Sequence, residues 1–451
     1  MDSASPLGLQ TPGDIPMGAY AWYVVVLLML ASVLSFLDRM MLSLLIDPIR
    51  KSLELTDTKV SLLAGFAFAL SYVAFAFPIG YWVDNRGRRN VIALGVALWS
   101  LATMSCGLAN TFLRLFLSRS LVGVGEASLI PTSVSMVPDY VPAGRRGLAM
   151  SILACGVSIG GGLALLAGGA FVGWANHARP VLAFVGRIEP WKLSFIAAGL
   201  PGIFLALLIR LTVREPKRHA TSSAIDSHAP SLAEVFAYLK QHRLVFILMF
   251  AGFSGFAMNG YAFNVWGPAF FMRLHGFTPG EVGLLFGIGF GLGGTAGIVF
   301  GGIFSDFLAR RGYNDAPVRV GLWSAWFQAP FFLGAYLFPN IYLAVPCFVV
   351  AMFGASIVGG LQSVMVQSLT PNRMRGLVGA LYGACVNLAG LGIAPTLIAL
   401  MADNFFGGPT GIGAALAVMS IASLAMTSTL LWIGLPLVRA RALALQGGGY
   451  G

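Results

Sequence analysis

Long apolar runs, separated by short polar or charged stretches, recur along the whole chain. A helix rises about 1.5 Å per residue, so about 20 apolar residues cross the roughly 30 Å hydrocarbon core of a bilayer. Runs of this kind predict twelve membrane-spanning helices, which we number as spans 1 to 12. Their predicted bounds are 20–46, 60–83, 90–109, 111–137, 147–173, 192–212, 243–272, 281–305, 318–337, 341–369, 375–402 and 411–437. The pattern predicts an all-α integral membrane protein.

One long polar stretch near the middle of the chain separates six spans from six. The predicted organisation is a flexible tail, a six-helix bundle, a linker, a second six-helix bundle and a second tail, at residues 1–19, 20–212, 213–242, 243–437 and 438–451. In the linker, the sequence SLAEVFAYLK at 231–240 places Ser231 and Glu234 at the spacing of a helix capping box. We expect a short amphipathic helix on the membrane surface there.

The two halves look like copies of one another. GYWVDNRGRR, between spans 2 and 3, matches GIFSDFLARR, between spans 8 and 9, in the spacing of its glycine, its aspartate and two arginines. A second match places Arg146 between spans 4 and 5 and Arg375 between spans 10 and 11. A repeat of six spans keeps its orientation, so the halves are parallel and are related by a pseudo-twofold axis along the membrane normal. Transporters with a midplane site between the halves have this geometry.

The composition excludes a soluble or a disordered chain. Hydrophobic residues make up 57% of the chain and charged residues 10%, with a mean hydropathy of +0.82, whereas soluble domains carry about 25% charged residues. The net charge of +11 comes from basic residues between the spans: 18 of the 28 Lys and Arg fall on the side of the two termini and 8 on the other. This asymmetry predicts cytoplasmic termini and explains the charge without a nucleic-acid partner.

The sequence has no pattern typical of an enzyme or an ATP-driven pump. HExxH and GxxxxGKS motifs are absent, and the four cysteines lie in apolar runs without metal-ligand spacing. We therefore expect no catalytic residue, no metal and no cofactor, with a proton gradient as the energy source.

Ionisable residues inside predicted spans are the sharpest functional signal, because a charge in hydrocarbon costs several kcal/mol. Four lie well away from the span ends: Asp38, Arg39, Arg119 and Glu126. By helical rise, Asp38 of span 1 and Arg119 of span 4 lie at equal depth, roughly 12 Å inside the membrane, and we expect an ion pair between them.

Glu126 points to the same side as Arg119, two turns on, and is expected to load and release a proton as an arginine approaches or withdraws. The alternative is that these charges only hold two helices together. Arg119 is also a candidate partner for an anionic headgroup.

Several of these segments carry a family resemblance. GYWVDNRGRR and, in span 4, RSLVGVGEA resemble signatures of the major facilitator superfamily. More narrowly, SFLDRMMLS in span 1, GFAFALSYVAFAFPIGYWVDNRGRR in span 2 and RSLVGVGEASLIPTSVSMVPDY in span 4 resemble the spinster family, including its bacterial members. The C-terminal half resembles the superfamily more than any subfamily, since Leu308 and Ala309 replace an Arg and a Gly of its loop signature.

The resemblance implies a proton-linked carrier of amphipathic lipids such as lysophospholipids or sphingoid phosphates. The alternative is a drug or sugar/organic-anion carrier of the wider superfamily. We expect a monomer in a bacterial inner membrane, with a small molecule or lipid as its substrate.

The resemblance also implies a conformational latch, in which Gly80 permits close helix approach and Asp84 caps a helix or pairs with an arginine. The latch residues are Gly80, Asp84, Arg86, Gly87, Arg88, Arg89, Arg146, Asp306, Arg310 and Arg375. Polar residues of spans 7, 10 and 11 are candidates for lining the cavity, the alternative for each being a bond to a neighbouring helix. These candidates are Asn259, Tyr261, Asn264, Trp266, Gln362 and Asn387.

Overall fold

The computed structural model describes residues 18–142, 145–177, 181–182, 186–187, 189–216, 232–313, 315–371, 374–408 and 411–447. A few side chains inside these ranges, including that of Asp84, lie outside the description. The N-terminal half comprises the helices Ala19–Leu44, Ile46–Ser52, Asp57–Ser61, Ala67–Asn85, Arg88–Cys106, Phe112–Glu126, Leu129–Tyr140, Arg146–His177 and Pro190–Thr212. The C-terminal half comprises Arg243–His275, Pro279–Ile288, Thr295–Arg310, Ala316–Leu337, Ile341–Ser356, Leu361–Ser368, Arg375–Asn387, Ala394–Met401 and Gly411–Gly447.

These helices form the twelve predicted spans, arranged as two six-helix bundles. Within the described ranges, nine helical stretches are by themselves long and apolar enough to cross a membrane. Spans 5 and 10 contain the shorter apolar helices Gly160–Trp174 and Ile341–Ser356, and span 9 is a helix of 22 residues. A two-residue antiparallel pair, Val181–Leu182 with Gly186–Arg187, lies between spans 5 and 6. Both ends of the described chain lie on one side of the bundle, here called the terminal face; the opposite side, which carries Leu44 and His275, is the far face.

The repeat predicted from the two loop motifs has a structural counterpart. Arg146 donates from Nε to the carbonyl oxygen of Val141 at 3.2 Å, and Arg375 donates from Nε to the carbonyl oxygen of Thr370 at 3.2 Å. Each arginine opens span 5 or span 11 and reaches back five residues to the end of the preceding span. The same local turn therefore occurs at equivalent places in the two halves.

The linker and the C-terminus depart in part from the predicted boundaries. The predicted surface helix is present as Leu232–Gln241, whereas Ser231 of the expected capping box lies outside the described residues.

The last helix continues to Gly447, beyond the span predicted to end at residue 437. Arg439 holds this extension by binding Asp315 at 3.0 Å, and Arg441 donates to the hydroxyl of Tyr238 at 2.9 Å. Sequence hydropathy missed the extension because it lies outside the apolar run.

Asp315 shows how strongly the C-terminal half is tied at the terminal face. Its buried carboxylate accepts hydrogen bonds from Arg319 at 2.9 Å and from Arg439 at 3.0 Å. Burial raises the pKa of Asp315, but the two arginines outweigh that effect and hold the pKa below its ordinary value. The start of span 9 and the end of span 12 are thereby joined.

The two halves meet along π-helical turns and glycines. Span 2 has a π-helical turn at Leu62–Phe66, which packs against another at Leu388–Ile393 in span 11. A third, Gly289–Gly294 in span 8, packs against span 5. At the first contact Gly65 faces the carbonyl oxygen of Leu391 so closely that a Cβ atom would overlap it. Backbones come this near only where a side chain is missing.

Ion pairs join the two halves at the far face. Arg273, at the end of span 7, binds Asp57 through two hydrogen bonds of 2.7 and 2.9 Å and also lies 2.6 Å from Asp47. Thr58 donates to Asp403 through its backbone N–H at 3.0 Å and its hydroxyl at 2.7 Å. With the glycine contacts, these bonds close the far face.

We expect Gly65→Ala to open the far face. The added methyl group would overlap the Leu391 carbonyl, so spans 2 and 11 would have to separate. The check is the distance between spin labels at Lys51 and Asn404, both exposed on the far face in different halves, after replacement of the four native cysteines. Gly379→Ala, also in span 11, is the control, because a Cβ at Gly379 meets nothing within 4 Å. Identical distance distributions in the two variants would contradict the expectation.

Candidate functional site: a buried charge cluster

Glu126 is the centre of a buried cluster between spans 1 and 4. It is the last residue of the helix Phe112–Glu126, and only 1% of its surface is exposed. Its Oε2 accepts hydrogen bonds from Arg39 Nε at 2.7 Å, from Arg39 Nη2 at 2.5 Å and from Ser35 Oγ at 2.6 Å. Three donors thus converge on one oxygen, while Oε1 has no hydrogen-bond partner.

Aromatic rings surround the guanidinium of Arg39. Its Cζ lies 4.4 Å from the ring centre of Phe68, 5.2 Å from that of Phe36 and 5.7 Å from that of Tyr72. Such cation–π contacts are stronger when the cation is desolvated. Phe68 and Tyr72 are four residues apart on span 2 and stack on each other, so Arg39 links spans 1, 2 and 4.

The expected ion pair between Asp38 and Arg119 is not a direct contact, although the two charges are close enough to interact electrostatically. Asp38 accepts a short hydrogen bond from the hydroxyl of Thr103 in span 3, and the arginine that binds a carboxylate is Arg39. Two side chains can pair only if they lie at equal depth, but they must also point towards each other around their helix axes. Asp38 and Arg39 point about 100° apart on span 1, so that one meets span 3 and the other meets Glu126.

Arg119 is a buried cation without a direct counter-ion among the described residues. Its exposure is 1%, and its Nε and Nη1 have no hydrogen-bond partner. It lines a small central cavity with Arg39 of its own half and Tyr261 and Asn264 of the other. Burying a guanidinium without hydrogen-bond partners is costly. Arg119 is therefore a candidate partner for an anion that enters between the halves.

A larger, apolar cavity lies on the terminal side of the cluster. It has a volume of about 470 Å³ and is bounded by spans 2, 4 and 11, with Tyr72, Phe77, Ile130, Val134 and Asn387 among its walls. Tyr72 contacts both this cavity and the guanidinium of Arg39. The charged centre and a mostly apolar chamber are thus neighbours.

The candidate cavity residues of the C-terminal half divide into two groups. Tyr261 and Asn264 line the central cavity, and Asn387 lines the apolar one. The hydroxyl of Tyr261 also donates to Asn387 Oδ1 at 3.4 Å, so these two residues both line a cavity and join spans 7 and 11. Three others bond to neighbouring side chains or backbone: Asn259 to Gln328 and Ser420, Trp266 to the carbonyl oxygen of Pro395, and Gln362 to Tyr382. For these three the structure favours the alternative of helix-to-helix bonding.

The latch residues described here bind mainly within their own half. Arg88 is buried and binds Asp139 at 2.5 Å, Glu215 at 3.3 Å and the carbonyl oxygen of Ser135 at 2.9 Å. The backbone N–H of Arg89 donates to Glu215 at 2.8 Å. Span 3 is thereby fixed to the end of span 4 and to the segment after span 6.

Other latch residues have different surroundings. Gly80 faces open space, so the close helix approach expected there is absent from this conformation. Gly87 precedes span 3 and lies beside Glu215, Arg86 is exposed, and Asp306 and Arg310 are exposed on span 8. The side chain of Asp84, central to the expected latch, lies outside the described residues.

Two groups that matter to the site were not predicted. The far-face cluster of Asp47, Asp57 and Arg273 joins residues from different halves, and nothing in the sequence indicates which loops meet. The ring pair Phe68 and Tyr72 had a usable signal, because residues four apart share a helix face. That signal does not reveal that the pair faces Arg39.

Comparisons with known proteins decide the family. The model of the Major Facilitator Superfamily matches residues 28–395. The chain belongs to the major facilitator superfamily. The duplicated six-span halves are thus those of a transporter, and relatives in this superfamily are transporters and not enzymes.

Individual members of the superfamily give a finer comparison. The crystal structure of a bacterial homologue of the human lysosomal transporter spinster, in an inward-facing and unoccupied conformation, has a TM-score of 0.78 and 26% identity, covering 96% of this chain and 99% of that one. An MFS-type efflux pump of Mycolicibacterium smegmatis is 28% identical over 64% of this chain and 64% of its own length. The probable galactarate/D-glucarate transporter GudP of Bacillus subtilis is 26% identical over 86% of each chain. The resemblance to spinster inferred from spans 1, 2 and 4 is confirmed.

We expect Arg39→Met to lower the free energy of unfolding by about 3–5 kcal/mol, because it leaves the buried Glu126 carboxylate without its partner. The double variant Arg39→Met/Glu126→Met removes both charges and should recover most of the loss. Thermal unfolding in detergent checks this, with Arg114→Met, at an exposed position near the far face, as the control. If the double variant loses as much stability as Arg39→Met and Glu126→Met lose when added together, the pairing is contradicted.

Proposed function

We propose that this protein is a proton-coupled secondary transporter that moves an amphipathic anion, such as a lysophospholipid or a sphingoid phosphate, by alternating access. The observation that carries the proposal is the buried Arg39–Glu126 pair, which lies beside the unpartnered Arg119 and next to an apolar cavity of about 470 Å³. Ionisable groups inside a membrane bundle are typical of proton and substrate pathways.

Proton binding at Glu126 would supply the coupling. The added proton cancels the charge that holds Arg39, so the guanidinium is released from its hydrogen bonds to Oε2. Loss of these bonds would free span 1 to shift against span 4. Proton loading would thus become a change in helix packing.

Substrate binding would use both the charge and the apolar surface. The Nε and Nη1 atoms of Arg119 have no hydrogen-bond partner, and the planar guanidinium matches the geometry of a phosphate or a carboxylate. The adjoining cavity offers an apolar wall for a hydrocarbon tail. An anion with a tail satisfies both features at once.

The orientation follows from the basic residues. Because Lys and Arg are concentrated on the side of the two termini, we place the terminal face in the cytoplasm of a bacterial inner membrane. The closed far face would then be the outer one, and the apolar cavity would face inward.

A second candidate substrate class is a sugar acid or a related small organic anion. It is favoured by the similarity to GudP, a probable galactarate/D-glucarate transporter. A short dicarboxylate would use Arg39 and Arg119 around the small central cavity and would leave the apolar cavity unused.

Proton flux in proteoliposomes tests the proposal. A lysophospholipid, a sphingoid phosphate and galactarate are added in turn to vesicles that enclose a pH-sensitive dye. We expect a pH change with the amphipathic anions that is lost in Glu126→Gln and kept in Glu54→Gln, an exposed far-face control. A response to galactarate alone would favour the second candidate. Equal responses from Glu126→Gln and the wild type would contradict the role of Glu126.

We expect Arg119→Lys to weaken substrate binding about tenfold or more although the charge remains, since lysine cannot donate in a bidentate fork. Binding of the transported compound to purified protein is the measurement. Wild-type affinity in Arg119→Lys would show that the fork of Arg119 does not hold the anion.

A further inference from the structure

We propose that the C-terminal half carries a separate binding site for an anionic phospholipid of the bilayer, in a groove between spans 8, 9 and 10. The groove has a volume of about 320 Å³. Its walls include Phe300 and Phe304 of span 8, Trp323 and Phe327 of span 9 and Phe353 of span 10. Its lining comes from spans 8, 9 and 10, whereas that of the proposed transport cavities comes from both halves.

A ladder of rings runs along one face of span 8 from the membrane interior to the terminal face. Phe300 and Phe304 stack with their centres 5.7 Å apart, and Phe304 and Phe307 follow at 6.5 Å. Arg311 comes next, with its Cζ 4.3 Å from the ring centre of Phe307. Steps of four, three and four residues keep all four side chains on one helix face.

The neighbouring spans complete the groove beside this ladder. The ring of Trp323 lies 5.5 Å from that of Phe304, and the ring of Phe353 lies 5.6 Å from that of Phe300. Trp323 is 65% exposed and Phe300 is 46% exposed. These large rings therefore form an open slot on the lipid-facing surface, of a shape that a hydrocarbon chain fills.

The length of the ladder fits one leaflet. Eleven residues separate Phe300 from Arg311, which corresponds to about 16 Å along a helix. Half of the roughly 30 Å hydrocarbon core is about 15 Å. An acyl chain seated along the ladder would end near Phe300 while its headgroup lies level with Arg311.

The charge at the mouth of the groove identifies the headgroup as anionic. Arg310 and Arg311 are exposed, and in the described part of the chain neither has an acidic partner within ion-pair distance. Nearby Arg319 is already held by Asp315. Basic pockets between transmembrane helices bind anionic lipid headgroups.

The backbone fixes Arg311 in this position. Gly312 has a φ of 86°, and the backbone N–H of Tyr313 donates to the carbonyl oxygen of Leu308 at 3.2 Å. This is the Schellman arrangement, which stops the helix directly after Arg311. The guanidinium stacks on Phe307 through one face and keeps its N–H edge for a phosphate.

The experiment measures retained lipid by native mass spectrometry. Purified protein is equilibrated with phosphatidylglycerol or with phosphatidylcholine of the same acyl chains. We expect Arg311→Gln to bind phosphatidylglycerol about fivefold more weakly, with little change for phosphatidylcholine. Trp323→Ala, which shortens the slot, should lower retention of both lipids.

Two control variants keep the same chemistry away from the groove. Arg114→Gln removes an exposed arginine near the far face, and Trp432→Ala removes a ring that is 71% exposed on span 12. Both should retain lipid like the wild type. Equal retention of phosphatidylglycerol by Arg311→Gln and the wild type would overturn the proposal, as would equal losses in Trp323→Ala and Trp432→Ala.

A measurement on the wild type covers the case in which a groove variant does not fold. Phosphatidylglycerol with a photoactivatable group near the end of its acyl chain is cross-linked to the protein, and the labelled peptides are identified. We expect labels concentrated around Phe300 and Trp323 and reduced by excess phosphatidylglycerol. Labels spread evenly over the lipid-facing surface would overturn the site.

Discussion

The ion pair between Arg39 and Glu126 is the interaction on which the rest of the structure depends. A carboxylate that is 1% exposed inside a helical bundle needs a charged partner, and Arg39 supplies two of the three hydrogen bonds on its Oε2. The same guanidinium packs against Phe68 of span 2. Three spans of the N-terminal half are therefore held by one side chain. Because a buried pair is costly to form and more costly to break, its state sets the packing of those spans.

The contact between the halves is of a different kind. Gly65 and the Leu391 carbonyl meet backbone to backbone near the far face, and Arg273 binds Asp57 beside them. Such close contacts hold the two halves in one relative position and do not allow them to be partly separated. The charged pair lies at the inner end of this closed region, where Phe68 and Tyr261 line the same small cavity. Under the proposed mechanism, a change at Glu126 would reach the interface through Arg39 and Phe68. The bilayer itself would act on the other half, along the ring ladder of span 8.

Hydropathy was enough to predict the twelve spans, because about 20 apolar residues in a row have few other places to lie. The four buried charges were also found from the sequence, since an ionisable residue within an apolar run stands out. Their pairing was not. Depth follows from helical rise, but which of Asp38 and Arg39 faces Glu126 depends on how span 1 is rotated against its neighbours, and tertiary packing sets that rotation. Likewise, Asn259 and Asn264 look alike in the sequence, yet one is buried against Gln328 and Ser420 and the other faces the central cavity.

The central claim is that Glu126 exchanges a proton while Arg39 responds to it. Infrared difference spectroscopy of the reconstituted protein tests this most directly, because a protonated carboxyl group has a C=O stretch that a carboxylate lacks. We predict that acidification produces a component of this band in the wild type that is missing from Glu126→Gln, in addition to the component that both proteins share from their other carboxyl groups. Bands of equal size in the two proteins would show that the proton goes elsewhere or that Glu126 remains ionised. That result would contradict the proposed coupling.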